Sequence, residues 1–238
     1  MLRQMHARGQ PGSILAGRFR IIERVAAGGM GTVHRALDEA TGRDVAVKLL
    51  AAGSGAEELA ERFRREARIL AGLEHPSVVS FVDFGPVDGG GLYLAMEWLE
   101  GLDLMDKLRD GVLGVAETIR LARHVAEALS VAHELGIVHR DLKPANIFLV
   151  GGNLADVKVL DFGIAMLTGL STGITRTGMT IGTPEYMPPE QARGERNMDG
   201  RVDVYALGCV IFQCLTGKPP FFGPTAASVI AEVASRLA

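Results

Sequence analysis

The sequence predicts an α+β fold built as two lobes. Two observations predict it: the first third of the chain reads as short apolar runs separated by glycine-rich or charged turns, and beyond Gly101 the apolar spacing becomes mainly helical. Strands grouped together and followed by helices, rather than alternating with them, define this class.

Taken in order, residues 1–17, with Gly9, Pro11, Gly12 and Gly17, read as a loose lead-in. Strands are expected over Phe19–Val25, Thr32–Leu37 and Val45–Leu50. From Ser54 the period turns helical. Ser54 and Glu57 form a capping box opening a helix that runs to about Leu73. Phe81–Phe84 and Leu92–Met96 read as two further strands around the Asp88-Gly89-Gly90-Gly91 turn. Thr118–Leu135 is amphipathic and stops at Gly136, a residue suited to the position just past a helix end. Val202–Leu215 reads as a buried helix, and residues 137–200 between these helices mix short strands and loops.

The 238 residues are 47% hydrophobic, enough for a real core. The 28 acidic and 25 basic residues give a net charge of −3, which argues against a nucleic-acid-binding surface. Cys209 and Cys214 do not share a helical face and read as buried core thiols. The N-terminus lacks an apolar secretory core, and Val202–Leu215 is too short to span a bilayer. A cytoplasmic protein without a membrane segment is the expectation.

Three constellations carry chemistry. Gly28-Gly29-Met30-Gly31 lies between two strands, where glycines let the backbone approach phosphate oxygens; alone it is weak evidence. Val45-Ala46-Val47-Lys48 places a lysine in a buried-looking strand, and a buried ammonium needs a partner. At about 100° per residue, Leu59, Phe63, Leu70 and Leu73 share a stripe roughly 80° wide, and Glu66 falls inside it. Glu57, Glu58 and Glu61 fall elsewhere. A lone carboxylate on a core-facing stripe requires a cation, and Lys48 is the candidate partner for Glu66.

The third constellation is His139-Arg140-Asp141-Leu142-Lys143-Pro144-Ala145-Asn146, followed by Asp161-Phe162-Gly163. Phosphoryl transfer needs metal on the phosphates, a carboxylate at the attacking hydroxyl, and neutralisation of developing charge. Asp141 can take the hydroxyl proton, Asn146 and Asp161 offer oxygen ligands for Mg²⁺, and Lys143 can balance charge on the γ-phosphate.

These residues resemble the protein kinase family over about Arg18 to Ala234, and most of all the eukaryotic-like serine/threonine kinases of bacteria. Gly182-Thr183-Pro184-Glu185-Tyr186-Met187 and Pro189-Glu190-Gln191-Ala192-Arg193-Gly194-Glu195 share that flavour. The resemblance implies a bilobal kinase-like fold over 18–238. Residues 18–99 would form a small lobe of antiparallel sheet plus one helix, with a hinge near 97–101. Residues 102–238 would form a mainly helical lobe, incomplete at its end.

It further implies ATP and Mg²⁺ as cofactors, with Mn²⁺ as a substitute metal. Ala26, Ala27, Gly28, Gly29, Met30, Gly31, Val33 and Ala46 would surround the nucleotide, and Lys48 would contact its phosphates. Met96 would sit behind the adenine, backbone groups of Glu97 and Leu99 would bond it, and Asp103 would reach the ribose. Asp141 would be the catalytic base, with Lys143, Lys48 and Glu66 beside it and Asn146 and Asp161 as metal ligands. Residues 164–182 resemble an activation loop, with Thr175 and Thr177 as autophosphorylation sites and Arg140 as the receiver of the phosphate. Protein substrates with serine or threonine acceptors are the implied partners, together with transient self-association. Asp203 resembles the buried aspartate that holds the catalytic loop; a helix N-cap is its plain reading, and the two roles are compatible.

Three features depart from the family pattern. Ala26 replaces the first glycine of the phosphate loop, at a cost that depends on whether φ must be positive there. Pro188 replaces an alanine. The chain also stops at Ala238, before the helices that in similar kinases supply an arginine for Glu190. The alternative function is therefore a pseudokinase or truncated kinase-fold scaffold without activity. The presence of Lys48, Glu66, Asp141, Asn146 and Asp161 favours the active enzyme.

Overall fold

The structure is a computed structural model, and it describes residues 9–28, 31–50, 72–87, 90–162, 183–195 and 198–236. The chain divides into two compact units, Met1–Gly72 with Val79–Leu99 and Leu73–Val78 with Glu100–Ala238.

The first unit holds a six-stranded antiparallel sheet: β1 (Ile14–Leu15), β2 (Phe19–Gly28), β3 (Gly31–Asp38), β4 (Arg43–Leu50), β5 (Phe81–Pro86) and β6 (Leu92–Glu97). The strand order is β1-β2-β3-β4-β6-β5. Burial alternates along β3 and the first half of β4, whereas β6 is buried from Leu92 to Met96. Along β4, Val45, Val47 and Leu49 enter a core with Phe19, Ile21, Ala36, Tyr93 and Ala95. Phe19 and Tyr93 meet edge to face at 5.7 Å. Part of the expected lead-in is built into this sheet, since Ile14 and Leu15 pair with Arg20 and Phe19 and Leu15 is buried.

One ionic node ties the sheet's ends together. Arg18 binds both oxygens of Asp38 at 2.8 Å and reaches Asp83 at 3.3 Å. Asp38 also accepts from Thr41 Oγ1 and the Ala40 N–H, closing the β3–β4 turn. These hydrogen bonds, the one from Arg18 first, hold the Asp38 carboxyl well below the usual carboxylate range.

The second unit contains the sheet β7 (Gly101–Asp103), β8 (Ile147–Val150) and β9 (Val157–Val159), in that order. Its helices are α1 (Leu104–Lys107), α2 (Val115–Glu134), α3 (Pro189–Ala192), α4 (Arg201–Thr216) and α5 (Ala226–Arg236). In α2 the buried residues Leu121, Val125, Ala128, Leu129 and Ala132 recur at helical spacing and pack against α4. Gly136 ends the turn after α2 with φ 74°. Cys209 and Cys214 of α4 are buried free thiols, and burial pushes both up to about 11. Leu73–Val78 belongs here because Ser77 accepts from the Val159 N–H at 2.8 Å and Val78 bridges to Val159. The C-terminal α5 packs on α3 and was not foreseen from periodicity. Among the described residues no helix is long and apolar enough to cross a membrane.

Candidate active site

In the first unit, strand register places the predicted nucleotide residues on one face. Ala26 opposes Val33, Val33 opposes Lys48 and Lys48 opposes Leu94; Ala46 opposes Met96 in the next row. Paired residues share a face, and this is the face opposite Val45, Val47 and Leu49. Lys48 is 7% exposed. Its expected partner Glu66 lies outside the described residues, as do Gly29, Met30 and the Ser54–Glu57 capping box.

Glycine at position 31 is required by packing within the sheet. Its φ is +142°, and a Cβ there would stand 1.9 Å from the Leu49 carbonyl oxygen. Gly28 and Gly31 pair directly across the turn. Ala26 is not among the described residues with positive φ, so alanine takes that place without backbone strain. The Glu97 N–H donates to the Ser80 carbonyl at 2.9 Å, and the Ser80 N–H donates to Glu97 Oε1 at 2.7 Å. Arg35 lies 5.0 Å over the Trp98 ring and donates through Nε to Asp44 at 2.8 Å.

In the second unit, residues 139–146 form a loop closed by a 3₁₀ turn over Pro144–Asn146. The Asp141 carboxylate sits between two donors: Lys143 Nζ at 2.8 Å and Asn146 Nδ2 at 3.4 Å, both on Oδ2. Asn146 Nδ2 also donates to the Asp141 carbonyl at 2.8 Å. That commitment leaves the Asn146 Oδ1 as an acceptor. Leu160 carries the next motif into the same frame, its N–H donating to the Asn146 carbonyl at 2.8 Å.

His139 links the two motifs. Its Nδ1 accepts from the Asp141 N–H at 3.3 Å, so its Nε2 carries the hydrogen that reaches the Leu160 carbonyl at 2.8 Å. Its ring lies 4.8 Å from that of Phe162. Asp161, between Leu160 and Phe162, has φ 59°.

Asp203 holds the loop from below. It is fully buried in the first turn of α4, with Oδ2 accepting from the His139 N–H and Oδ1 from the Arg140 N–H, each at 2.8 Å. The helix N-cap is Gly200, and the Asp203 oxygens serve the loop. Arg140 has φ 65°, a left-handed conformation costing a non-glycine residue about 1–3 kcal/mol unless its surroundings impose it. Gln191 Nε2 adds a bond to the Arg140 carbonyl at 3.1 Å. An open recess beside Asp141 is lined by Thr183, Tyr186, Met187, Pro188 and Val202. Tyr186, its hydroxyl donating to Gln213 Oε1, is pushed up by burial.

Asp103 caps α1 by accepting from the Asp106 N–H at 2.8 Å. Thr175, Thr177 and the rest of 163–182 lie outside the described residues. Sequence reading missed Gln191 and His133, which bonds Asp203 from α2; both act across long separations and have no local signal.

The sequence pattern of the family described as protein kinase domain matches residues 19–237. Serine/threonine-protein kinase PknB of Mycobacterium leprae is 44% identical over 220 residues, 90% of this chain and 35% of that protein. Serine/threonine-protein kinase pkn2 of Myxococcus xanthus is 40% identical over 226 residues, 93% of this chain and 27% of that protein. The chain thus spans about a third of the length of the curated relatives it matches. Among solved structures, the Mycobacterium tuberculosis PknI kinase domain superposes with a TM-score of 0.71 at 29% identity, over 91% of this chain and 80% of that one. Rad53 1–466 in complex with AMP-PNP gives 0.75 at 30% identity, over 98% and 57%. The chain belongs to the protein kinase family. Within it, this is a serine/threonine kinase domain of the eukaryotic-like kind found in bacteria.

Proposed function

We propose that this domain transfers the γ-phosphate of ATP to serine and threonine hydroxyls of protein substrates. The observation that carries the reading is the Asp141 carboxylate, held between Lys143 and Asn146 and opening on the recess at Thr183 and Met187. An acceptor hydroxyl seated there would meet a carboxylate able to take its proton as the oxygen attacks. Lys143 would offset charge on the transferred group.

The donor set suits Mg²⁺: the Asn146 amide oxygen and the Asp161 carboxylate are hard oxygen ligands joined through Leu160, and phosphate oxygens would complete the shell. When bound, the metal supplies charge neutralisation on the phosphates. Val33, Ala46 and Met96 would cover the adenine and Lys48 its phosphates. Because the Glu97 N–H is taken by Ser80, its contribution to the adenine would be the carbonyl, with Leu99 beside it and Asp103 at the ribose.

Activation by phosphorylation of Thr175 or Thr177 belongs to the same reading. Arg140 Nε is buried with no hydrogen-bond partner among the described residues, a guanidinium edge suited to a phosphate. Mixing the chain with labelled ATP and Mg²⁺ beside Asp141→Asn tests the proposal. Label on the unaltered chain, mapped to Thr175 or Thr177 and lost in the variant, is expected. No label on folded, nucleotide-binding protein would establish the pseudokinase reading instead.

A further inference from the structure

β6 is paired with β4 as far as Val45–Glu97, and Trp98 is the first residue beyond that ladder. Glu97 is secured by its two hydrogen bonds with Ser80. Trp98, between Glu97 and Leu99, is met by a side chain instead: the guanidinium carbon of Arg35 stands 5.0 Å from the centre of its ring. Trp98 Nε1 is buried with no hydrogen-bond partner among the described residues, so the polar contact that orients the ring is the cation on its face.

The guanidinium is itself fixed. Its Nε donates to Asp44 Oδ2 at 2.8 Å, and a terminal nitrogen pairs with the same oxygen. A planar guanidinium held in this way is pre-organised to stack. Register decides where it stands. Arg35 opposes Ala46, which opposes Met96, so Arg35 lies in one row with two residues of the proposed adenine face. Val33, two positions earlier on β3, shares that face. We propose that Arg35 is a positioning residue for nucleotide binding: anchored on Asp44, it holds Trp98 so that the Glu97 and Leu99 backbone is set to receive adenine. The inference rests on the kinase reading above, and all of its residues belong to the first unit. Without the cation, the ordering of Trp98 is left to the nucleotide, and that cost falls on affinity rather than on transfer.

The test is a double-mutant cycle of Arg35→Met and Trp98→Leu in the full chain, read as Kd for ADP with Mg²⁺ by calorimetry. ADP carries the same adenine and is not turned over. Arg35→Met keeps an unbranched side chain and removes the cation. It is expected to weaken ADP binding roughly threefold to tenfold, the range of a partly desolvated cation–π contact. KM for ATP should rise alike, with kcat within about twofold. In the Trp98→Leu background the same change should cost less than about twofold, because Arg35 acts through the ring. Equal losses in the two backgrounds, or a loss in kcat alone, would overturn the proposal. If Arg35→Met does not fold, Arg35→Gln takes its place as the variant without a cation.

A second readout needs no nucleotide. Trp98 is the single tryptophan of the chain, so acrylamide quenching of its fluorescence reports on the clamp directly. Quenching should rise in Arg35→Met and return toward the wild-type level in Arg35→Lys, which keeps the charge. The two readings fail separately. A wild type that binds ADP but transfers no phosphate refutes the kinase reading alone, and unchanged quenching in Arg35→Met refutes the clamp alone.

Discussion

The Arg140 N–H donates to Asp203 Oδ1 at 2.8 Å across 63 residues of sequence, and Arg140 is left-handed where it does so. A backbone state that is unfavourable alone is held in this loop by a buried carboxylate on α4. Asp141, the base of the proposed mechanism, follows directly, so its backbone is held from α4.

Asp203→Ala should therefore harm folding and turnover together. It strands two buried backbone N–H groups and removes what holds Arg140 left-handed. A loss of about 3–5 kcal/mol is expected by urea denaturation, the range for breaking a buried charged network. Phosphate transfer by the fraction that remains folded should fall well below that of the wild type.

Gly31 and Ala26 make a contrasting pair. Gly31→Ala drives a Cβ to 1.9 Å from the Leu49 carbonyl at φ +142°, and should cost about 2–4 kcal/mol in a melting or denaturation experiment. Ala26→Gly restores the family glycine at a place where φ is not positive. It should destabilise by no more than about 1 kcal/mol, the ordinary cost of glycine in a strand.

His34 sets a pH dependence in the first unit. It is 2% exposed, and burial first, then Arg24, lowers its pKa below the ordinary 6.5. The folded state then binds fewer protons than the unfolded state at mildly acid pH. Its contribution is full above about pH 6.5 and is lost as pH falls below that value. The Asp38 carboxyl, lowered from 3.8, adds a separate loss only at more acid pH. Melting temperature measured from pH 7 to pH 5 should decline in the wild type and decline less in His34→Val.

The two thiols should be inert in the folded protein. Cys209 and Cys214 are 5% and 0% exposed, and burial lifts both to about 11. Thiolate is the reactive form, so a disulfide reagent at neutral pH should titrate neither cysteine until denaturant is added. Prompt reaction of one thiol in native protein would contradict the packing of α4.

Much of this was readable from residue order. Short apolar runs between turns located β2 to β6, an amphipathic stretch located α2, an apolar run located α4, and Asp141, Lys143, Asn146 and Asp161 stand out as a set from their motifs alone. The structure brings Asp141, Lys143 and Asn146 into hydrogen-bond contact because the 3₁₀ turn over Pro144–Asn146 returns Asn146 to Asp141, five positions earlier. Such relations are local, and local sequence specifies them.

What periodicity could not reach was long-range. Leu73–Val78 lies before β5 in sequence yet bonds to β9, because backbone N–H and C=O groups pair wherever a complementary edge is brought near. Arg18 closes on Asp38 and Asp83 for the same reason: a buried carboxylate takes whichever cation the sheet supplies.

The sequence by itself determined the element types, the family and the chemical set at the loop, since propensity, spacing and motif are properties of neighbours along the chain. The tertiary structure alone decided that Gly200 rather than Asp203 stands at the N-cap of α4, that Gly31 is demanded by Leu49, and that His133 is the side chain that completes Asp203. These depend on which atoms fill the last lone pair or the last ångström of space, and packing between distant segments settles that.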